Sequence, residues 1–318
     1  MAKRQDGRAV GRVFFRNGVR RKVVKRGDGR LVAMPSASTT RGRRISGKTV
    51  HHFVHYRSIP SSVLENVRAW RRAGFQQVIW SFNKFPCMKG VRVRNAARAM
   101  SRHRFTALRR RGVGLALIKD EVSLYALREE GGWWADMDVW PLKHAPDWER
   151  YCEGKPTVLS THPLRQAGLP MSPAEADWER NGQRGRFSLA LMYVDATMEK
   201  GHQFASLAYS AVKACNTAYK PPRQPTDACG KWKGWQANTA AVLQQARELE
   251  LPLVAPIHFC PTGNFFRASP DARKPRLVAG CSIPSWQRIN AESFSLNLWS
   301  DRWSSTLQDA VRASANLI

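Results

Sequence analysis

Acidic side chains are what this sequence is shortest of, and the shortage is local. Residues 1–48 hold 2 acidic against 15 basic side chains, and residues 49–115 hold 1 against 14, so each stretch carries +13. The remaining 203 residues add only +2 to the net charge of +28. Such a field attracts nucleic acid, an anionic membrane or another polyanion. Long apolar runs are also missing. None approaches the roughly 20 residues that a membrane-spanning helix needs. The start, Met1-Ala2-Lys3-Arg4, leads into charged and polar residues rather than the apolar stretch of a signal peptide. The expectation is a protein made and kept in the cytoplasm. The six cysteines include no C-x-x-C pair, which argues against a zinc site or a disulfide framework and for reduced, structural thiols. No internal repeat and no Ser-His-Asp arrangement stands out.

What is present is an ordinary globular composition, 43% apolar over 318 residues, enough for one large α/β domain with an appendage. Residues 1–48 differ from the rest. Val13-Phe14-Phe15, Lys22-Val23-Val24 and Leu31-Val32-Ala33-Met34 read as short strands, with turn signals at Asn17-Gly18 and Asp28-Gly29. A small basic β-meander is expected, followed by a linker from Pro35 to Lys48. The main domain, 49–318, then runs strand (Val50–Tyr56), helix (Ser62–Ala73), strand (Gln77–Trp80). Next come a basic helical segment over 94–111, a helical or mixed stretch from Leu115 to Leu127 with a capping-like acidic start at Asp120-Glu121, and a strand over Trp133–Val139. Strands alternating with helices predict a mainly parallel sheet flanked by helices.

The segment with chemistry in it is Asp136-Met137-Asp138. In a strand the two carboxylates share a face. Paired carboxylates repel, and the usual remedy is a hard divalent cation bridging to phosphate oxygens. A solvated turn is the bland reading, and a bare D-x-D is common by chance. His51, His52 and His55 read as packed or solvent-facing strand residues rather than metal ligands.

The surroundings of this motif resemble the sugar-binding region of GT-A glycosyltransferases with a D-x-x-R…GG-x-Y-x-D-x-D pattern. That group includes initiating mannosyltransferases, capsular-polysaccharide transferases and clostridial glucosylating toxins. Asp120 matches its first Asp, Gly131-Gly132 its glycine pair, Trp134 its Tyr, and Asp136 and Asp138 its D-x-D. Asn66 to Trp70 is similar to its N-x-x-x-W stretch, Gly234 to Ala241 to a later "GP…T" segment, and Leu296 to Trp303 to a C-terminal "H-x-W…S-W" segment. The family's Arg is Ser123 here, with Arg128 a substitute from elsewhere, and its His is Asn297.

The resemblance implies a Rossmann-like GT-A fold and a nucleotide-sugar donor such as UDP-glucose. Mn2+ or Mg2+ would be the cofactor, held by Asp138 and Asn297. Asp120, Asp136 and Asp138 are then the catalytic set. Donor contacts are expected from Tyr56, Asp120, Gly131, Gly132, Trp134, Asp136, Trp299, Ser300 and Trp303, with Trp133 also near the donor. Anomeric configuration is expected to be retained.

The acceptor is read from charge alone. Arg94, Arg98 and Arg102 are spaced to share one helix face, and with Arg109, Arg110 and Arg111 they are read as a polyanion-binding face. Nucleic acid is the favoured acceptor, through phosphate contacts and a hydroxylated base flipped from the stack, as in phage-type DNA modification. The alternatives are a polysaccharide or lipopolysaccharide transferase at an anionic membrane surface, and a non-enzymatic nucleic-acid-binding protein or a metal nuclease.

Overall fold

The computed structural model describes residues 13–16, 19–25, 31–35, 47–56, 58–162, 186–220, 228–254, 266–267, 276–277 and 293–297. The chain divides into two compact units, Met1–Arg44 and Ile45–Ile318. In the first, β1 (Val13–Arg16), β2 (Val19–Lys25) and β3 (Leu31–Pro35) form an antiparallel sheet in chain order. The turn signals Asn17-Gly18 and Asp28-Gly29 lie outside the described residues.

The second unit opens with β4 (Thr49–Phe53), α1 (Ser61–Arg72), β5 (Gln76–Ser81) and β6 (Val91–Asn95). A 3-10 turn (Ala96–Arg98), α2 (Arg102–Arg110), α3 (Leu115–Glu130) and β7 (Gly132–Ala135) follow. Then come β8 (Val139–Pro141), α4 (Ala145–Cys152), β9 (Thr157–His162), β10 (Arg186–Val194), α5 (Glu199–Ala218), α6 (Ala228–Glu248) and β11 (Leu253–Val254). The short strands β12 (Phe266–Arg267), β13 (Arg276–Leu277) and β14 (Ser295–Asn297) complete the described elements. Seven strands make one sheet, in the order β11-β9-β10-β7-β4-β5-β6. Only β10 runs against its neighbours, so the sheet is mainly parallel.

Helices cover both faces. Strand alternation sends Trp133 and Trp134 to opposite sides of β7. Trp133 joins Trp70, Phe75 and Trp148 under α1 and α4. Trp134 joins Val122, Leu127, Phe204 and Val242 under α3, α5 and α6. With both faces covered, the strands are apolar on both sides, as parallel sheets are.

Three features differ from the sequence reading. The carboxylate segment is not one strand. β7 ends at Ala135, and the Val139 N–H donates to the Asp136 carbonyl at 3.0 Å, so Met137 and Asp138 occupy a turn before β8. Residues 94–111 are not one helix either. Arg94 is on strand β6, Arg98 in the 3-10 turn and Arg102 at the head of α2, so the three share no helix face. Asp120-Glu121 is not a helix start, since α3 begins five residues earlier, after Gly114.

Gly131 and Gly132 do stop α3, with φ of +60° and +90°. A Cβ on Gly132 would sit 2.9 Å from the Thr49 carbonyl oxygen, which belongs to the adjoining strand. Gly132→Ala is therefore expected to lose at least ~2 kcal/mol of stability through backbone strain and this clash. An unchanged denaturant midpoint would show that β7 can shift to make room.

Candidate functional site

The Asp136–Asp138 turn hangs between two pinned ends. Upstream, His52 Nδ1–H donates to the Ala135 carbonyl at 2.8 Å, and the Asp136 N–H donates to Ala190 of β10 at 2.8 Å. Downstream, the Val139 carbonyl accepts from Asn66 Nδ2 at 2.9 Å and from Trp70 Nε1 at 3.0 Å. Both donors come from α1. The N-x-x-x-W stretch of the sequence is thus an anchor for the strand that leaves the turn. On its other side, β8 pairs with β14, whose Asn297 stands opposite Val139, one residue past Asp138.

Asp136 is held from two directions. Its Oδ1 accepts from Trp134 Nε1 at 3.0 Å, and its Oδ2 accepts from Lys119 Nζ at 2.6 Å. Lys119 also lies 3.3 Å from Asp120 Oδ1. Burial alone would lower the Lys119 pKa, but the Asp136 and Asp120 carboxylates outweigh it and hold the ammonium protonated above its usual range. Asp120 moves the other way. Burial raises its pKa, against the opposing pull of Lys119 and of the bond from Asn238.

Beneath Lys119 the polar chain continues. Asn238 Nδ2 donates to Asp120 Oδ2 at 3.0 Å and to Asn216 Oδ1 at 3.3 Å. Asn216 Nδ2 reaches Glu121 Oε2 at 3.2 Å. Arg104 forks onto Glu121 at 2.9 and 2.8 Å. Adjacent buried carboxylates on an apolar helix need partners of this kind. The network links α2 to the turn through α3, α5 and α6.

A cavity of about 330 Å³ opens on this turn. It lies beyond the carboxyl ends of the paired parallel strands β4 and β7. From β4 the chain proceeds to β5 and β6 on one side, then returns to place β7 on the other, and such a switch point is where open α/β sheets bind ligands. Asp136, Met137 and Asp138 line it. The lining also includes Ser62 and Val63 of α1, and Leu115, Ala116 and Lys119 of α3, whose ammonium is bonded to Asp136. Neither helix has a side-chain cap or an acidic residue in its first turn. First-turn N–H groups and the helix dipole favour an anion there. Phe53, His55 and Tyr56 add an aromatic wall. Tyr56 is 45% exposed.

The cavity therefore brings the carboxylates of the turn together with the Lys119 ammonium and two helix N-termini. That pairing fits a divalent cation that is itself bound to phosphate. Among the described residues no three His, Cys, Asp or Glu side chains group as an all-protein metal shell would. Mg2+-type sites use one or two carboxylates plus substrate phosphates, and Asp138 on the cavity wall is the candidate carboxylate for such a site.

Several expected donor contacts lie elsewhere. Asp120 is 1% exposed and both its oxygens are taken, so it supports Lys119 rather than touching the cavity. Trp134 and Trp133 are fully buried and offer no ring face to a ligand. Gly131 and Gly132 lie at the opposite end of β7 from Asp136, roughly 13 Å away by strand rise. Ser123, where the family pattern has Arg, is buried and donates to the Asp120 carbonyl. Arg128 does not replace that Arg at the cavity, because it lies over the Tyr125 and Tyr209 rings and pairs with Glu129. Glu130, which a nuclease reading would recruit along with Glu129, pairs with Arg94. Trp299, Ser300 and Trp303 lie outside the described residues.

The basic face is partly committed to the fold. Arg102 donates to the Phe82 carbonyl, Arg109 to Val113, and Arg111 to Thr217 and Tyr219. Arg98 and Arg110 are exposed. Lys119 and Asn216 were not singled out from sequence, and nothing there pairs Arg104 with Glu121 or Asn238 with Asp120. Lys119 directly precedes Asp120, but only the packing of α3 against β7 brings it to Asp136.

No protein-family model matches the chain, and no curated protein matches it in sequence. Among solved structures the fold is similar to one titled "PaToxG Glycosyltransferase", at 11% identity and a TM-score of 0.36, covering 65% of this chain and 79% of that one. No described helix is long and apolar enough to cross a membrane.

Proposed function

We propose that the protein transfers a sugar from a nucleotide-sugar donor to a hydroxyl acceptor with the help of a divalent cation. The observation that carries this reading is the cavity itself, which brings the Asp136-Met137-Asp138 turn together with Lys119 and two uncapped helix N-termini. A nucleoside diphosphate with its cation supplies both complementary charges.

In this reading Asp138 and Asn297 hold Mn2+ or Mg2+. When bound, the cation neutralises the diphosphate as it leaves. The first-turn N–H groups of α1 and α3 and the Lys119 ammonium meet the charge that develops on that leaving group. Asp136, fixed by Lys119 and Trp134, accepts a donor hydroxyl, and Tyr56 stacks on the base. Trp299, Ser300 and Trp303 are proposed to close over the diphosphate. Retention of configuration and a UDP-glucose-like donor follow from the family resemblance. The acceptor is proposed to be nucleic acid, on the strength of the charge of the first 115 residues.

The test is hydrolysis and label transfer with a panel of UDP- and GDP-sugars in Mn2+. Asp138→Asn is expected to lower donor turnover roughly 10²–10³-fold. Wild-type turnover in Asp138→Asn, or no turnover of any donor, would sink the reading. Cleavage of DNA without donor turnover would favour a nuclease.

A further inference from the structure

Residues 83–114 hold 10 lysines and arginines and no acidic side chain. The fold treats these cations in two ways. Arg94 and Arg104 are neutralised by Glu130 and Glu121. Arg102, Arg109 and Arg111 instead donate to main-chain carbonyls, those of Phe82, Val113, Thr217 and Tyr219. A carbonyl holds a guanidinium in place but leaves its unit charge uncompensated. All three residues are exposed, and so is Arg110.

The bonds of Arg104 and Arg111 show what lies beside α2. Both reach the last turns of α5, at Lys213, Thr217 and Tyr219. That end of α5 adds the exposed Lys213, and residues 206–220 contain no acidic side chain. Among the described residues no carboxylate pairs with Arg102, Arg109, Arg110, Arg111 or Lys213. Two elements far apart in sequence thus build one cationic surface. It borders the cavity, because His55 of the cavity wall meets Phe105 of α2 edge-on, with ring centroids 4.9 Å apart. Burial and then the Arg109 charge hold the His55 pKa below its usual value, which places Arg109 on that side of α2.

The chemistry of the surface selects its partner. A guanidinium already fixed by one bond gives up little further freedom when its other N–H groups meet an anion. The exposed large apolar side chains among the described residues are Tyr56, Val93 and Leu207, none of them on α2 or in residues 208–220. The surface therefore lacks the apolar anchor of a protein interface and the apolar face of a lipid-bound helix. A chain of phosphates needs neither. The nine residues of α2 span roughly 13 Å, the reach of about four nucleotide steps.

We propose that the exposed side of α2 and the C-terminal end of α5 form a nucleic-acid-binding surface at the rim of the cavity, with Arg102, Arg109, Arg110, Arg111 and Lys213 as phosphate contacts. That the bound strand is the sugar acceptor rests on the transferase reading; the binding itself does not.

The test is titration of the full chain with a labelled single-stranded DNA oligonucleotide, without nucleotide sugar, across a salt series. Arg110→Gln/Lys213→Gln is expected to weaken binding by about tenfold and to flatten the log–log salt slope by roughly 1.5. Arg110→Lys/Lys213→Arg, which keeps the charge, is expected to retain most of the affinity and the slope. Arg68→Gln/Arg71→Gln removes the same charge from exposed positions of α1, which covers the opposite face of the sheet. It is expected to change binding less than about threefold. The proposal is overturned if the Arg110/Lys213 variant binds like wild type, or if the Arg68/Arg71 variant loses as much. It is equally overturned if the chain ignores DNA and binds only phosphatidylserine vesicles. Absence of donor turnover, measured separately, would sink the transferase reading and leave this one standing.

Discussion

Lys119→Met is expected to lower the unfolding free energy of the full chain by roughly 3–5 kcal/mol. The ammonium is the shared counter-ion of Asp136 and Asp120, at 2.6 and 3.3 Å. Removing it leaves the buried Asp120 and the cavity-lining Asp136 without their cation, with the Asn238 and Trp134 N–H groups as the side-chain partners that remain. The loss reflects the unpaired charge rather than the intrinsic worth of the pair. The double variant Lys119→Met/Asp136→Asn should therefore recover a good part of it. Urea unfolding of the two variants decides the matter. A single-variant loss under about 1 kcal/mol would mean that water or backbone movement reaches these carboxylates.

A second large effect is expected from pH. Burial lowers His51 and His52 from 6.5 to about 4, opposed by their bonds to the Gly131 and Ala135 carbonyls, with Arg92 and Arg94 adding to the lowering of His51. Trp80 Nε1–H donates to His51 Nδ1, so the proton of the neutral ring sits on Nε2, which donates to Gly131. Between pH 4 and 6.5 the unfolded chain binds more protons at these sites than the folded one. Their contribution is complete above 6.5 and is lost as pH falls toward 4. Each shift corresponds to about 3 kcal/mol, so the pair should cost about 5 kcal/mol between pH ~7 and ~4.5. His52→Asn keeps a donor for Ala135 and should remove about half of that slope. Identical slopes in wild type and variant would refute this account.

Much of the second unit could be read ahead of the structure, and the failures have specific causes. β4, α1, β5 and α3 each carry a clear period or a flanking breaker, and each lies within a few residues of its expected place. β6 was hidden because Arg94, Arg98 and Arg102 mimic helical spacing across a strand, a 3-10 turn and a helix start. The sequence pattern points Trp134 at a donor, whereas its ring is buried, because a sheet covered on both faces buries both parities of its strands, so alternation says nothing about which ring meets a ligand. The Asp136–Asp138 segment was found by its letters. Its shape, a turn pinned by His52, Asn66 and Trp70, depends on contacts more than 65 residues apart in sequence. Lys119 was overlooked for the same reason, since adjacency to Asp120 does not reveal a bond to Asp136.

One more property follows from the position of β6 at the end of the seven-stranded sheet. A sheet margin with open main-chain groups recruits further strands, including those of other copies of the same protein. The sequence there is Val-Arg-Val-Arg-Asn, with Arg92 and Val93 turned to solvent. Two such margins approaching each other would bring guanidinium against guanidinium. Arginines that look from sequence like a docking face thus disfavour edge-to-edge pairing of this strand.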